Sequence, residues 1–181
     1  GGKAPASVEA AASFIGQLMD AAGLQKAALI GHSWGSLIAM QAAAQLGARI
    51  SHLVLVGTAA PMKVSPVLLD LAVNAPDKAI HMVQTFSRAT LAPPNGAGSW
   101  VFGAGTALGK RVLASNRQTN LLHTGFVACD SYSGGEAAMA ALQCPVLFVL
   151  GEQDQMTPPK AAKGLVDAAK AAGKTVKLQT I

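Results

Sequence analysis

Three short apolar runs, each closed by a glycine, limit the folds open to this chain more than any other feature. They occupy residues 26–30, 53–56 and 145–150, and the glycines are Gly31, Gly57 and Gly151. Apolar residues fill them almost throughout and do not alternate with polar ones. Such runs are typical of strands covered on both faces in parallel α/β sheets. We therefore predict short parallel strands buried among helices.

Helical patterns flank these runs at both ends of the chain. Ser7 is a suitable N-cap for a helix that Gly23 ends, and a second helix is predicted from Trp34 to Gly47. A third helix is predicted over residues 160–172, before a last strand over residues 175–181. Both ends of the chain thus indicate β–α–β units, which favours an α/β fold with a doubly wound parallel sheet.

The middle of the chain carries helical patterns and no convincing strand. A glycine- and proline-rich stretch, APPNGAGSW, is predicted as a loop. An all-helical insertion between two parallel strands is predicted to form a cap over the carboxyl edge of the sheet, where open α/β sheets bind ligands. We assign residues 1–60 and 144–181 to the core domain and residues 61–143 to the cap. Cap helices are predicted over residues 67–75, 77–89, 106–116, 120–129 and 136–142.

Composition argues against several classes of function. The net charge is +5, but the lysines are dispersed and aromatic residues make up only 4%, so we expect no nucleic-acid partner. Polar residues interrupt the longest apolar tract, residues 27–46, so we expect no membrane span. The two cysteines, Cys129 and Cys144, provide neither a disulfide framework nor a zinc motif. The sequence does not determine the cellular compartment, but it favours the cytoplasm over export.

The stretch Gly31-His32-Ser33-Trp34-Gly35 matches the pattern G-x-S-x-G between a predicted strand and a predicted helix. A strand that turns abruptly into a helix lifts Ser33 Oγ above the sheet, and close approach of the backbone explains the two glycines. The N–H of Trp34, at the helix N-terminus, is then placed to stabilise an oxyanion. The alternative is that Ser33 only occupies a tight turn. His32 is predicted to pack beside the nucleophile rather than to act as its base.

With this motif in its context, the chain resembles the α/β-hydrolase superfamily. LIGHSWGSLIAMQAA is similar to the family's nucleophile turn and the helix after it, and CPVLFVLGEQDQMTPPKAA is similar to its acid-bearing strand and loop. The resemblance implies that Asp154 is the acid of a serine triad. Glu152 is the competing carboxylate but sits closer to the strand end, and Asp154 as a plain loop or capping residue is the alternative.

The resemblance also implies a histidine after the last strand of the sheet, and this chain shows none there. All four histidines precede Asp154: His32 and His52 lie on or beside predicted core strands, and His81 and His123 lie in the predicted cap. We therefore interpret the sequence as a fragment that lacks the N-terminal strands and the catalytic histidine. One edge of the nucleophile strand should then be unpaired, which favours self-association.

The function implied is a serine hydrolase that cleaves an ester or related acyl bond through a Ser33 acyl-enzyme, with no metal and no organic cofactor. We expect this activity of the intact protein and little or none of the fragment. The expected partner is a small, hydrophobic, ester-like substrate. The alternative is a non-catalytic family member that binds a ligand or a protein. His32 and six cap residues are candidates for substrate binding. For each cap residue, the alternative is that it forms part of the cap's own core; these six are Leu68, Leu69, Met82, Phe86, Trp100 and Phe102.

Overall fold

The computed structural model describes residues 3–87, 97–116 and 118–181, and within residues 97–101 it describes the backbone only. Eight α-helices and four strands lie in these ranges, together with 3-10 helices at Gly47–Arg49 and Pro159–Ala162. The strands are β1 (Ala27–His32), β2 (Ile50–Val56), β3 (Val146–Leu150) and β4 (Val176–Thr180). The helices are α1 (Val8–Ala21), α2 (Trp34–Leu46), α3 (Pro66–Asn74), α4 (Pro76–Phe86), α5 (Ala97–Ala114), α6 (Leu121–Ser131), α7 (Gly135–Ala141) and α8 (Lys163–Ala171).

The four strands form one parallel sheet in the order β1-β2-β3-β4. The register aligns Gly31 with Leu55, Leu55 with Phe148, and Phe148 with Leu178. This arrangement confirms the predicted α/β class with a parallel sheet. Since β1 is an edge strand, its outer edge has no strand partner among the described residues.

The two faces of the sheet differ in what covers them. One face packs against α1, α2, α7 and α8 in a single core, whose strand contributions include Leu55 and the fully buried Phe148. The opposite face carries the row Ile30–Val54–Leu147–Lys177, in which Ile30 is 74% exposed. The described helices of the core therefore lie on one side of the sheet, and apolar side chains of β1 stay open on the other.

Local sequence explains where several helices begin. The Ser7 side chain accepts a hydrogen bond from Ala10 N at the start of α1, which confirms its role as an N-cap. Ser65 and Asn120 cap α3 and α6 in the same way. These caps satisfy backbone N–H groups that have no acceptor within the helix.

One helix begins earlier than the sequence pattern predicts. Helix α5 begins at Ala97, inside the stretch predicted as a loop. Its packing on α4, where Gly105 lies against Gln84 and Gly109 against Ile80, offsets the low helix propensity of its glycines. The earlier part of the predicted loop, residues 92–96, lies outside the described residues.

Helix α7 packs against α2 and α8, with Met139 fully buried in the main core. The division into core and cap at residues 61 and 143 stays a prediction, but this packing favours a cap that ends before α7.

In the part of the chain that the structure describes, no helix combines the length and the apolar character needed to cross a membrane.

Candidate active site

The turn between β1 and α2 holds Ser33 in an unusual backbone conformation. Its φ is 51° and its ψ is −124°, and it is the one non-glycine residue with positive φ among the described residues. Such a conformation costs of the order of 1–3 kcal/mol and persists only where the surroundings enforce it. Ser33 N donates to Val56 O at 3.0 Å, and Ser36 N donates to Ser33 O at 2.8 Å. The backbone of Ser33 is thus held from β2 on one side and from α2 on the other.

The two motif glycines differ in whether a larger residue would fit in their place. A Cβ on Gly31 would overlap Gly35 O and would lie 2.7 Å from Ser36 Cα, so the turn closes only with glycine at this position. A Cβ on Gly35 would meet nothing within 4 Å. The expectation that backbone crowding explains both glycines is therefore wrong for Gly35, because its Cβ direction points away from the turn.

Trp34 is the first residue of α2, so its N–H has no acceptor inside the helix. The Trp34 indole packs on α6, where a Cβ on Gly125 would lie 3.3 Å from Trp34 Cζ3. The indole Nε1 is buried and lacks a hydrogen-bond partner among the described residues. The residue after Ser33 therefore joins the turn to the helices of the predicted cap.

Asp154 lies in the loop after β3, at the same edge of the sheet as Ser33. Its Oδ1 accepts hydrogen bonds from Met156 N at 2.9 Å and Thr157 N at 2.8 Å, and its Oδ2 accepts one from Thr157 Oγ1 at 2.8 Å. These three donors fix the orientation of the carboxylate. Thr157, which is buried, is not among the predicted site residues, although a threonine three residues after an aspartate in a loop is a recognisable sequence signal for such a turn.

Asp154 lies close to Gly57, which follows the carboxyl end of β2. A Cβ on Gly57 would lie 3.3 Å from Asp154 Oδ2 and 3.7 Å from His32 Cδ2. His32 and Asp154 therefore flank the same glycine. Glu152, the competing carboxylate, is exposed, and its N donates to Ile181 O at 2.8 Å, beside the end of β4.

None of the four histidines hydrogen-bonds to Ser33 Oγ within the described ranges. His32 and His52 are exposed, His81 packs edge-on against Phe102 with ring centroids 4.9 Å apart, and His123 lies on α6. The described residues also contain no group of three side chains able to hold a metal ion. Among the described residues, the structure thus brings a serine and a carboxylate to one sheet edge without a base between them.

A cavity of about 950 Å³ opens at Ser33 and extends beneath α3–α6. Most of its wall is apolar. Of the predicted substrate-binding residues, Met82 and Phe86 line it, whereas His32 does not, and the Trp100 side chain lies outside the described residues. Leu68 also lines the cavity, whereas Leu69 and Phe102 do not. Other lining residues are Trp34, Met62, Val64, Val83, Leu108, Val112, Leu122, Phe126, Met156 and Thr157.

Cys129 also lines this cavity, but its thiol is protected from ionisation. Burial, with a smaller contribution from the charge of Asp130, raises the pKa of Cys129 from 9.0 to about 12. Because the thiolate is the reactive form of cysteine, this side chain behaves as a small apolar wall residue near neutral pH. Burial in the same core also raises the pKa of Cys144.

Comparison with known proteins identifies the fold. A family model described as "alpha/beta hydrolase fold" matches residues 3–96. Among curated proteins, none matches the sequence. At the identities found, below 25%, the solved structures bear on the fold alone.

Three of the similar solved structures illustrate the range. An alpha/beta hydrolase enzyme from a Medee basin deep-sea metagenome library is 20% identical with a TM-score of 0.71, over 99% of this chain and 65% of that one. An esterase from Exiguobacterium antarcticum is 16% identical with a TM-score of 0.79, and the match covers 98% of this chain and 66% of the esterase. A homoserine O-acetyltransferase from Bacillus anthracis is 16% identical with a TM-score of 0.67, and the match covers 97% of this chain and 58% of the acetyltransferase. The chain thus spans less than two thirds of the length of each.

Proposed function

Because the chain belongs to the alpha/beta hydrolase fold family, we propose that the protein is a serine hydrolase that cleaves an ester or a related acyl bond through an acyl-enzyme on Ser33. The positive φ of Ser33, at 51° on a non-glycine residue, is the observation that carries the proposal. Backbone strain of this kind clusters at active sites, ligand clamps and switch regions. Gly31, the Val56 carbonyl and the start of α2 together maintain it.

In the proposed first step, Ser33 Oγ attacks the carbonyl carbon of the substrate and loses its proton to a histidine base. The carbonyl oxygen becomes an oxyanion, and the Trp34 N–H donates a hydrogen bond to it. The bond to the leaving alcohol then breaks as the histidine returns the proton to that oxygen. Water repeats the sequence on the acyl-enzyme and releases the acid.

Asp154 has the proposed role of orienting that histidine and stabilising its imidazolium form. Its carboxylate is already fixed by Met156 N and by both polar groups of Thr157, so it is pre-oriented before a base arrives. The family places the base after the strand that corresponds to β4. None of the described residues fills that role, so the proposal concerns the full-length protein that contains this chain.

The cavity next to Ser33 favours an apolar acyl or alcohol group in the substrate. Its wall combines Met82 and Phe86 of α4 with residues of α3, α5 and α6, and its volume of about 950 Å³ is at the upper end of the range for small-molecule sites. Burying apolar substrate surface there contributes about 25 cal/mol per Å². We therefore propose hydrophobic, medium-sized esters as the substrate class.

A non-catalytic ligand-binding protein is the second candidate, favoured by the lack, within the described residues, of a histidine hydrogen-bonded to Ser33 Oγ. The two candidates differ in a direct assay of the full-length protein with p-nitrophenyl esters. A hydrolase loses about 10³-fold or more in kcat in Ser33→Ala and Asp154→Asn. Glu152→Gln is the matched control, since this exposed carboxylate lies in the same loop and should leave kcat unchanged. Equal rates for the wild type and Ser33→Ala would refute the hydrolase proposal.

A further inference from the structure

Two buried hydroxyl groups lie directly behind the Ser33 turn. Ser36 and Thr58 are both fully buried. Ser36 Oγ lies 2.5 Å from Ser33 O and 2.7 Å from Thr58 Oγ1. Thr58 follows β2 and Ser36 lies in the first turn of α2, so the pair connects the carboxyl edge of the sheet to the backbone of Ser33.

The Ser33 carbonyl determines which hydroxyl group donates to which in this pair. A carbonyl oxygen can only accept, and a hydroxyl group has one proton to donate. Ser36 therefore donates its proton to Ser33 O, and Thr58 donates its own to Ser36 Oγ. The Ser33 carbonyl accepts this bond in addition to the one from Ser36 N at 2.8 Å.

The Ser33 carbonyl belongs to the same rigid unit as the Trp34 N–H. A trans peptide is planar, and its C=O and N–H point in opposite directions. Fixing the direction of Ser33 O therefore fixes the direction of the Trp34 N–H. A peptide whose carbonyl accepts strong hydrogen bonds is also polarised, which makes its N–H a better donor.

We infer that Ser36 and Thr58 are positioning residues that aim and strengthen the Trp34 N–H as an oxyanion donor. This inference rests on the proposed function, in which that N–H binds the oxyanion. Neither side chain is among the residues that line the cavity, so both act through the Ser33–Trp34 peptide. The sequence signal is a serine at the position after the second motif glycine and a threonine after the glycine that closes β2.

The variants Ser36→Ala and Thr58→Val in the full-length protein test this inference, with Thr58→Ser as the matched control that keeps the hydroxyl. We expect kcat to fall about tenfold with KM nearly unchanged, less than the 10²–10³-fold loss of a whole oxyanion donor. We expect the inhibition constant of an alkyl boronic acid, whose tetrahedral adduct resembles the transition state, to rise by a similar factor. Thr58→Ser should restore both values.

A pair that only ties α2 to the sheet would lower the Tm without changing kcat or boronate affinity, and that outcome overturns the inference. A second readout does not depend on catalysis. In ¹H–¹⁵N NMR spectra, Thr58→Val should shift the Trp34 amide proton upfield, because the peptide loses polarisation.

The two proposals fail in different ways. If the wild type forms no boronate adduct and hydrolyses no ester, the proposed function fails, and the amide readout alone decides on the positioning. An unchanged Trp34 amide proton in Thr58→Val overturns the inference whether or not the protein is a hydrolase.

Discussion

Adding one methyl group to each motif glycine in turn separates two positions that look alike in sequence. Gly31→Ala and Gly35→Ala carry the same chemical change on either side of Ser33. The structure predicts opposite effects on stability. At Gly31 the new Cβ would meet the backbone of Gly35 and Ser36, whereas at Gly35 it would meet nothing within 4 Å.

The magnitudes follow from these contacts. A Cβ at position 31 would lie 2.7 Å from Ser36 Cα, and ordinary van der Waals contact begins at 3.4 Å, so backbone must move by at least the difference. Overpacking of this kind costs about 3 kcal/mol when rigid backbone has to shift. For a chain of this size that lowers the Tm by about 6–12 °C. Gly35→Ala should instead stabilise the protein by about 0.5–1 kcal/mol, because alanine favours the helix.

Urea unfolding followed by circular dichroism and intrinsic fluorescence measures both variants against the wild type. We expect a lower urea midpoint for Gly31→Ala and an equal or higher midpoint for Gly35→Ala, with similar m-values. Equal stability of Gly31→Ala and the wild type would refute the account of the turn. A loss in Gly35→Ala as large as that in Gly31→Ala would refute the distinction between the two glycines.

Three further predictions concern the cavity, a buried thiol and the open strand. Gly125→Leu should push into the Trp34 indole and the cavity, and should lower kcat/KM for long-chain esters about tenfold more than for acetate esters. The neutral Cys129 thiol contributes stability that is fully present below pH 9 and is lost as the pH rises through about 12. Over this range the free energy of unfolding should fall by up to about 1.4 kcal/mol per pH unit, and Cys129→Ala should remove this dependence. Ile30→Lys should reduce self-association of the chain in analytical ultracentrifugation, because a charge protects an exposed edge strand.

Each of these predictions has a clear opposite. Equal losses on long and short esters in Gly125→Leu would contradict the position of the cavity wall. Parallel pH profiles of unfolding for Cys129→Ala and the wild type between pH 9 and 12 would contradict the pKa of that thiol. Wild-type chain that stays monomeric at about 100 μM would contradict pairing through β1, since weak protein contacts with Kd near that value would appear there.

The sequence predicts those parts of the fold that depend on local pattern. Continuous apolar runs located three of the four strands, and the Ser7 cap located the start of α1. Helix α5 was harder to predict, because glycine and proline lower local helix propensity and the packing that offsets them is not visible in sequence. The start of β2 at Ile50 was missed for a related reason, since the polar Ser51 and His52 interrupt the apolar pattern while the pairing with β1 continues.

At the site, sequence pattern led to Ser33, Trp34 and Asp154 because each lies at a strand end, a position that the order of elements fixes. The residues that hold them depend on three-dimensional contacts. Thr157 reaches Asp154 through a side-chain bond, and Thr58 is 22 positions away from Ser36 in the chain. The Asp154–Thr157 pair is local, whereas no periodicity or local motif joins Ser36 to Thr58, so only the folded arrangement shows that these two side chains meet.

Reaction of Ser33 with a fluorophosphonate tests the central claim most directly. The probe phosphonylates activated serines, and mass spectrometry of the digested full-length protein identifies the modified peptide. We predict one adduct per chain, located on Ser33, and no adduct in Ser33→Ala. A wild-type protein that stays unmodified at Ser33, under conditions that fully label a known serine esterase, would contradict the claim that Ser33 is a nucleophile.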